Sequence, residues 1–473
     1  MSDGSSIDSL VATLRTEAAR LAPGARLPSS RDLIARHGVG PVTVSRAIAQ
    51  LAAEGVVVTR PGSGTYVAAR PAAGGTAPAD TSWQSVALAG RHVEPGTEDA
   101  ADEDPPGTTP PAGTIALRGG YLHESLQPTR LLGAALARAA RRPDAWHRAP
   151  AAGLAPLRAQ FARQAGGDTA PEDVLVTGGG QGALSMLFRA IAAPGAPVLV
   201  ESPTYPGALA AARAAGLRPV PAPMDEHGLR PDLLADAFAM TGARLLYCQP
   251  TFHNPTGTVL TPERRRQITD VARAAGAFLI EDDFARHLGH GRPVPRPLVV
   301  EDRDGTVVHL TSLTKPASPS LRIGAVIARG PVMRRLQAMR RVDDFFIARP
   351  LQEAAVELLS TPAWDRHLRG LATALQHRCA TLAGALAREL PDWAPTRIPQ
   401  GGLHLWIRLP AGLTDRAVAE AARTHRVAVD PGHRFFPAEP PVGHLRLAFA
   451  AAADPAELTE AVHRLTEAVR TLT

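Results

Sequence analysis

Ser312-Leu-Thr-Lys315-Pro-Ala-Ser-Pro-Ser-Leu-Arg322-Ile-Gly324 holds the one lysine of a 473-residue chain in which every other one of the 51 basic residues is arginine. Arginine stays protonated at any physiological pH, whereas a desolvated lysine amine can lose its proton and attack a carbonyl. Two readings follow from composition alone: a surface residue left over from a drift toward arginine, or a Schiff-base nucleophile. The apolar run Val307-Val-His-Leu310 just upstream reads as a buried strand, which puts Lys315 at a strand end. Hydroxyls and Arg322 follow it, a set that suits an anionic carbonyl cofactor and favours the nucleophile.

Working outward, further apolar runs recur between helix-patterned segments: Val174-Leu-Val176, Val198-Leu-Val200, Leu245-Leu-Tyr247, Phe278-Leu-Ile280 and Ala325-Val-Ile327. That alternation predicts an α/β body with a mostly parallel sheet covered by helices, in which ligands gather beyond the carboxyl ends of the strands. Four polar stretches sit at such ends. Thr177-Gly-Gly-Gly-Gln-Gly-Ala-Leu184 is a glycine turn opening a helix, whose free amides can hold a phosphate. Glu201-Ser-Pro-Thr-Tyr205 offers a ring for stacking, His253-Asn254-Pro-Thr-Gly257 an inward amide, and Glu281-Asp-Asp283 a carboxylate for a pyridinium nitrogen. Each alone reads as an ordinary turn, packed tyrosine or capped loop; their order and spacing before Lys315 make a joint coincidence improbable.

Length predicts more than one domain. The start, Met1-Ser-Asp-Gly-Ser-Ser, lacks a basic, apolar leader pattern, and no uninterrupted apolar run is long enough for a membrane span, so a cytoplasmic protein with no membrane partner is expected. Two cysteines, Cys248 and Cys379, make no disulfide framework, and no metal site is expected. Net charge is +6, unevenly spread. Residues 1–70 carry eight arginines against five acids, whereas residues 71–113 carry one arginine against seven acids and are rich in Pro, Gly, Ala and Thr. The second stretch reads as an acidic linker between a small head (1–70) and a large body (114–473), with a mean reach of about 35 Å as a flexible coil.

In the head, Leu10, Leu14, Ala18 and Leu21 keep helical spacing. Leu27-Pro-Ser-Ser-Arg-Asp-Leu-Ile-Ala-Arg-His-Gly38 supplies a serine cap, a short helix and a glycine stop. A third helix from Pro41 carries Val44, Ile48 and Leu51 on one face; Val56-Val-Val-Thr59 and Gly64-Thr-Tyr-Val67 then flank Arg60-Pro-Gly-Ser63 as a hairpin. This is the winged helix-turn-helix order, against the plainer alternative of a small bundle with a solvated basic face. Double-stranded DNA is the expected partner, with Arg31, Thr43, Ser45, Arg46, Arg60 and Gly62 as contacts.

The head resembles the GntR family of regulators through Leu27-Pro-Ser-Ser-Arg31, Gln50-Leu-Ala-Ala-Glu-Gly55 and Arg60-Pro-Gly-Ser-Gly-Thr-Tyr-Val67; it departs where that family has Ser-Arg and this chain has Gly40-Pro41. From about residue 114 onward the chain resembles fold type I, aminotransferase-like pyridoxal 5′-phosphate proteins, which adds a smaller C-terminal α/β subdomain to the expected fold. That resemblance implies that Lys315 binds the cofactor as an imine, Asp282 holds the pyridine nitrogen, Asn254 meets the ring hydroxyl and Tyr205 stacks on the ring. Gly180, Gln181, Ser312, Thr314 and Arg322 resemble the phosphate cup, and Arg446 in His444-Leu-Arg-Leu-Ala-Phe449 the clamp on a substrate carboxylate. Two positions depart from the family. Phe284 stands where a tyrosine usually donates to the ring hydroxyl, and Arg148 where a tyrosine reaches the phosphate in the partner of a homodimer.

The pairing of both resemblances is the signature of the MocR subgroup of GntR-like regulators. It implies a pyridoxal-phosphate-dependent transcriptional regulator that senses an amine or amino acid by imine exchange at Lys315. The alternative is a working aminotransferase that carries a DNA-binding head.

Overall fold

The computed structural model describes residues 3–68, 111–393, 395–438, 440 and 442–472. Two compact units divide at Gly90 and Arg91. The acidic linker expected over residues 71–113 lies almost wholly outside the described residues.

In the first unit, α1 (Asp3–Arg20), α2 (Ser30–His37) and α3 (Pro41–Ala53) precede the hairpin of β1 (Val57–Arg60) and β2 (Gly64–Val67). The expected helix starts and stops are physically present. Ser29 and Asp32 form a reciprocal capping box at α2, Gly38 ends that helix in the left-handed region at φ 63°, and Pro41 occupies the first turn of α3. Leu10, Leu14, Leu33, Val44, Ile48, Leu51 and Val57 close into one small core. The hairpin turn places Gly62 at φ 73°, and Ser63 N donates to Arg60 O at 3.0 Å.

The second unit contains an eight-stranded sheet in the order β4-β11-β10-β9-β8-β5-β6-β7. These are β4 (Val174–Thr177), β5 (Pro197–Ser202), β6 (Arg218–Asp225), β7 (Gly228–Leu229), β8 (Leu245–Cys248), β9 (Phe278–Asp282), β10 (Val307–Ser312) and β11 (Gly324–Ile327). Strands β10, β9, β8, β5 and β6 pair in parallel; β11 runs against both its neighbours and β7 against β6. The period-two geometry of a strand divides the apolar runs between two faces. Val174, Val176, Leu199 and Leu279 join a core with Leu157, Phe161, Phe238 and Ile268; Leu175, Val198, Val200 and Ile280 join another with Leu187, Phe188, Leu209 and Leu336. Burial on both faces is why these runs are continuously apolar.

Strand β6 has no apolar run and carries Pro219, Pro221 and Pro223. Prolines spaced by two all turn their missing N–H to one side, and β6 is bordered outward only by β7, at Met224 and Asp225. A ladder with β5 on the other side loses nothing.

A second, four-stranded sheet has the order β12-β14-β13-β3, from β3 (Ile115–Leu117), β12 (His404–Arg408), β13 (Val427–Pro431) and β14 (His444–Ala448). It packs with the helices Pro362–Glu389 and Pro455–Arg470 around Leu375, Leu382, Leu405, Leu447 and Leu465. The smaller C-terminal subdomain thus recruits β3, the strand that directly follows the linker sequence.

Candidate functional site

The ends of β4, β8, β9 and β10 and the facing ends of β13 and β14 enclose a cavity of about 280 Å³. Gly180, Gln181, Tyr205, Asn254, Asp282, Ser312, Thr314, Lys315, Arg322 and Arg446 all line it, so the sequence motifs converge on one place. Lys315, three residues beyond β10, donates its Nζ to Gly120 O at 2.7 Å and lies 3.9 Å from the centre of the Tyr121 ring. Burial, with the Arg446 guanidinium next in weight, pushes its amine down to about 8. A useful fraction is therefore a free nucleophile near neutrality.

Asp282, the last residue of β9, is buried, and burial pushes its carboxyl up to about 6 against the opposing donors. Tyr247 OH at 2.7 Å and Gln249 Nε2 at 3.1 Å both donate to Oδ2. With the described donors on Oδ2, the other oxygen is left for a ring N–H, and a cationic ring would offset the cost of burying the charge. At the start of the helix Gly180–Ile191, Gly179 has φ 92° and no side chain caps the first turn. A Cβ at Gly179 would stand 2.9 Å from Arg322 Nη2, so only glycine lets the guanidinium lie over that helix end. Ser312 Oγ and Thr314 Oγ1 meet at 2.7 Å beside it. Tyr205 OH donates to Gln181 Oε1 at 3.1 Å, while Gln181 Nε2 is held by Gly207 O at 2.8 Å. Asn254 accepts from Arg446 Nη1 on its Oδ1 at 2.9 Å, which leaves its amide N–H₂ as the donor for a ring oxygen. A depressed lysine, a buried carboxylate, a helix amide end with arginine and hydroxyls, and an inward amide fit pyridoxal 5′-phosphate group by group.

Across the cavity, Arg446 on β14 is enclosed by protein partners. Its Nε contacts Asp430 Oδ2 at 3.1 Å, its Nη2 reaches the same oxygen and Gly119 O at 3.0 Å, and its face lies 4.7 Å from the Phe435 ring centre. Asp430 Oδ2 also accepts from Gly119 N at 3.0 Å, and His404 Nε2 lies 3.2 Å from Gly119 O. Burial holds the His404 imidazole well below its ordinary range, so it is neutral.

Arg148 does not line the cavity of its own chain. It is exposed, with its guanidinium 5.9 Å from the Phe345 ring centre and 5.8 Å from that of Phe346. In the head, Arg31, Ser45, Arg46, Arg60 and Gly62 are exposed, and Arg60 lies 5.0 Å from the centre of the Tyr66 ring. Thr43 requires a correction: it is only 9% exposed and belongs to the inward row with Val44 and Ala47, so it cannot reach out from α3, whereas Val42 is 64% exposed.

Sequence reading passed over Gly119, Gly120, Tyr121, Tyr247, Gln249, His404 and Asp430. Gln249 and Asp430 stand at or next to strand ends, the same signal that picked out Asp282. Gly119, Gly120 and Tyr121 join the site only because β3 pairs with β13 far away in the chain.

The model of aminotransferase class I and II matches residues 120–465, and that of the bacterial regulatory proteins of the gntR family matches residues 9–67. The uncharacterized HTH-type transcriptional regulator YdcR of Escherichia coli K12 is 30% identical over 87% of this chain and 88% of its own length. The probable rhizopine catabolism regulatory protein MocR of Rhizobium meliloti is 28% identical over 96% and 92%. A 2-aminoadipate transaminase of Thermus thermophilus is 31% identical over 76% and 91%. The crystal structure of the α-aminoadipate aminotransferase LysN from that organism, complexed with N-(5′-phosphopyridoxyl)-L-leucine, superposes with a TM-score of 0.71 at 30% identity, covering 76% of this chain and 93% of LysN. The chain belongs to the aminotransferase class I and II family, in the MocR form in which a gntR-family DNA-binding head precedes a fold type I body.

Proposed function

We propose that the protein is a transcriptional regulator that binds operator DNA through its head and pyridoxal 5′-phosphate at Lys315, and that a primary amine or amino acid is its effector. The observation that carries this reading is the coexistence, in one chain, of a winged head with exposed Arg31, Arg46 and Arg60 and a body whose sole lysine stands in a site that fits the cofactor. When bound, the cofactor supplies a carbonyl carbon for which the Lys315 amine and an effector amine compete. Asp282 holds the ring nitrogen proton; Gly180, Arg322, Ser312 and Thr314 hold the phosphate. Tyr205 covers the ring, and Lys315, once displaced, is free to hold a proton at Nζ.

The body is proposed to act as a homodimer. Val342 and Phe345 are 82% and 59% exposed, and nearby in sequence to the Arg148 that lies over Phe345 is Trp146, 77% exposed. A second copy would cover such apolar surface and receive Arg148 at its phosphate. A cytoplasmic location accords with a DNA-binding role; no helix among the described residues is long and apolar enough to cross a membrane.

The test is to purify the protein with cofactor, select operators from random double-stranded oligonucleotides, and record visible spectra and DNA affinity in the same samples with ethylamine and L-alanine. A spectral change accompanied by altered DNA affinity supports the regulator. Sustained formation of pyruvate from L-alanine when a second 2-oxo acid is added as amino acceptor, without any effect on DNA, supports the aminotransferase, which the intact lysine and the likeness to transaminases favour as the second reading. Arg46→Ala is expected to weaken DNA binding and to reduce the slope of log affinity against log salt by about 1 if it neutralises one phosphate.

A further inference from the structure

Arg446 has five N–H donors in a fixed fork, and a side-on grip on a carboxylate needs two of them parallel. The fork is already engaged on both edges. Nε and Nη2 meet Asp430, Nη2 also meets Gly119 O, and Nη1 meets Asn254. Asp430 is held from a second direction by Gly119 N, so it cannot leave Arg446 without also straining or losing that bond. Its side chain is largely buried, and an incoming carboxylate would set a second negative charge beside it in a low-dielectric pocket. The other groups nearby give no relief. His404 is neutral, Arg322 lies at the helix end at Gly179, where it would hold the cofactor phosphate, and Arg434 on the same wall has interactions of its own.

We propose that Asp430 is the specificity-determining residue of this site and that it selects primary amines carrying no carboxylate on the amine-bearing carbon. This rests on the amine-sensing reading above and narrows it. Such an amine approaches the Lys315 position while the Arg446–Asp430 pair stays closed as a neutral wall. An α-amino acid must instead open the pair, which discriminates by placing an unpaired charge against the wrong ligand.

The experiment is a spectral titration of the cofactor-loaded full chain with ethylamine and L-alanine, which differ by the carboxylate, each expressed as free-base concentration. Ethylamine is expected to half-saturate the wild type at a concentration lower by about tenfold or more. In Asp430→Asn the charge is gone and the shape kept, so L-alanine should gain about tenfold while ethylamine moves by less than about threefold. Asp430→Ser serves the same purpose should the amide fail to take up cofactor. L-alanine binding as well as ethylamine in the wild type would overturn the proposal, as would an unchanged ratio in the variant. Silence toward both amines in a protein that holds its cofactor would instead overturn the amine-sensing reading beneath it.

Discussion

The two walls of the cavity differ in what they leave open. On the large-sheet wall, Lys315, Asp282, the helix end at Gly180 and Arg322 present charges and donors that the protein itself only partly satisfies. On the C-terminal wall, Arg446, Asp430 and Gly119 satisfy one another, and Asn254 accepts from Arg446 Nη1 from across the cavity. The first wall is preorganised for a ligand that brings a phosphate, a ring N–H and a carbonyl; the second resists any ligand that asks its pair to part. On the proposed function, binding of the cofactor and admission of a second molecule would thus be separated in space.

The largest effect should come from Lys315→Arg, which keeps the positive charge and removes the nucleophile. Loss of the visible band of the lysine-bound cofactor and of every amine response is expected; retention of the band would break the description of the first wall. Next is Asp282→Asn. Losing a charge-assisted bond to the ring nitrogen should weaken cofactor retention by about 10- to 100-fold, measured by equilibrium dialysis. The same change should stabilise the cofactor-free protein near pH 7. The native carboxyl, at about 6, binds a proton that the unfolded chain has released by then, so stability falls as pH rises from about 4 to 6 and stays lowered above. Removing that penalty should give up to about 3 kcal/mol, read from the melting temperature without cofactor.

Smaller is the pH dependence of cofactor uptake. With the Lys315 amine at about 8, the uptake rate should rise about fivefold between pH 7 and pH 8 and then level off. A tenfold rise continuing through pH 9 would mean that the first wall does not depress the amine. The smallest effect is expected from Phe284→Tyr, which adds a hydroxyl to the lining of the cavity. A new donor to the ring oxygen should lower the apparent pKa of the bound cofactor by about one unit or less in an absorbance titration. No shift would show that residue 284 does not reach that oxygen.

The first wall was largely legible in the sequence because its residues follow short apolar strands. Val307–Leu310 located Lys315 and Phe278–Ile280 located Asp282, since a strand end fixes where a following side chain emerges. Strand β6 was hidden, because its three prolines contradict strand propensity and are tolerated only where one side needs no ladder. The second wall was legible only through the resemblance at Arg446. Its partner Asp430 closes on it through β13 and β14 pairing, and Gly119 arrives from 327 residues away. Nothing local in Val427-Ala-Val-Asp-Pro431 announces an ion pair. Thr43 is the opposite case: its place near the start of α3 suggested a DNA contact, and it lies instead among the buried residues of that helix.

Lys315, enclosed beneath Tyr121 and bonded to Gly120, has a practical consequence that follows from its solitude. An amine-selective reagent finds on this chain, apart from the α-amino group, a single side chain to modify, and that side chain lies at the centre of the ligand cavity. Every unit of mass added to the tryptic peptide around residue 315 is therefore a measure of how open the cavity is. The protein carries its own single-site occupancy label, with no residue to be engineered in and none to be removed.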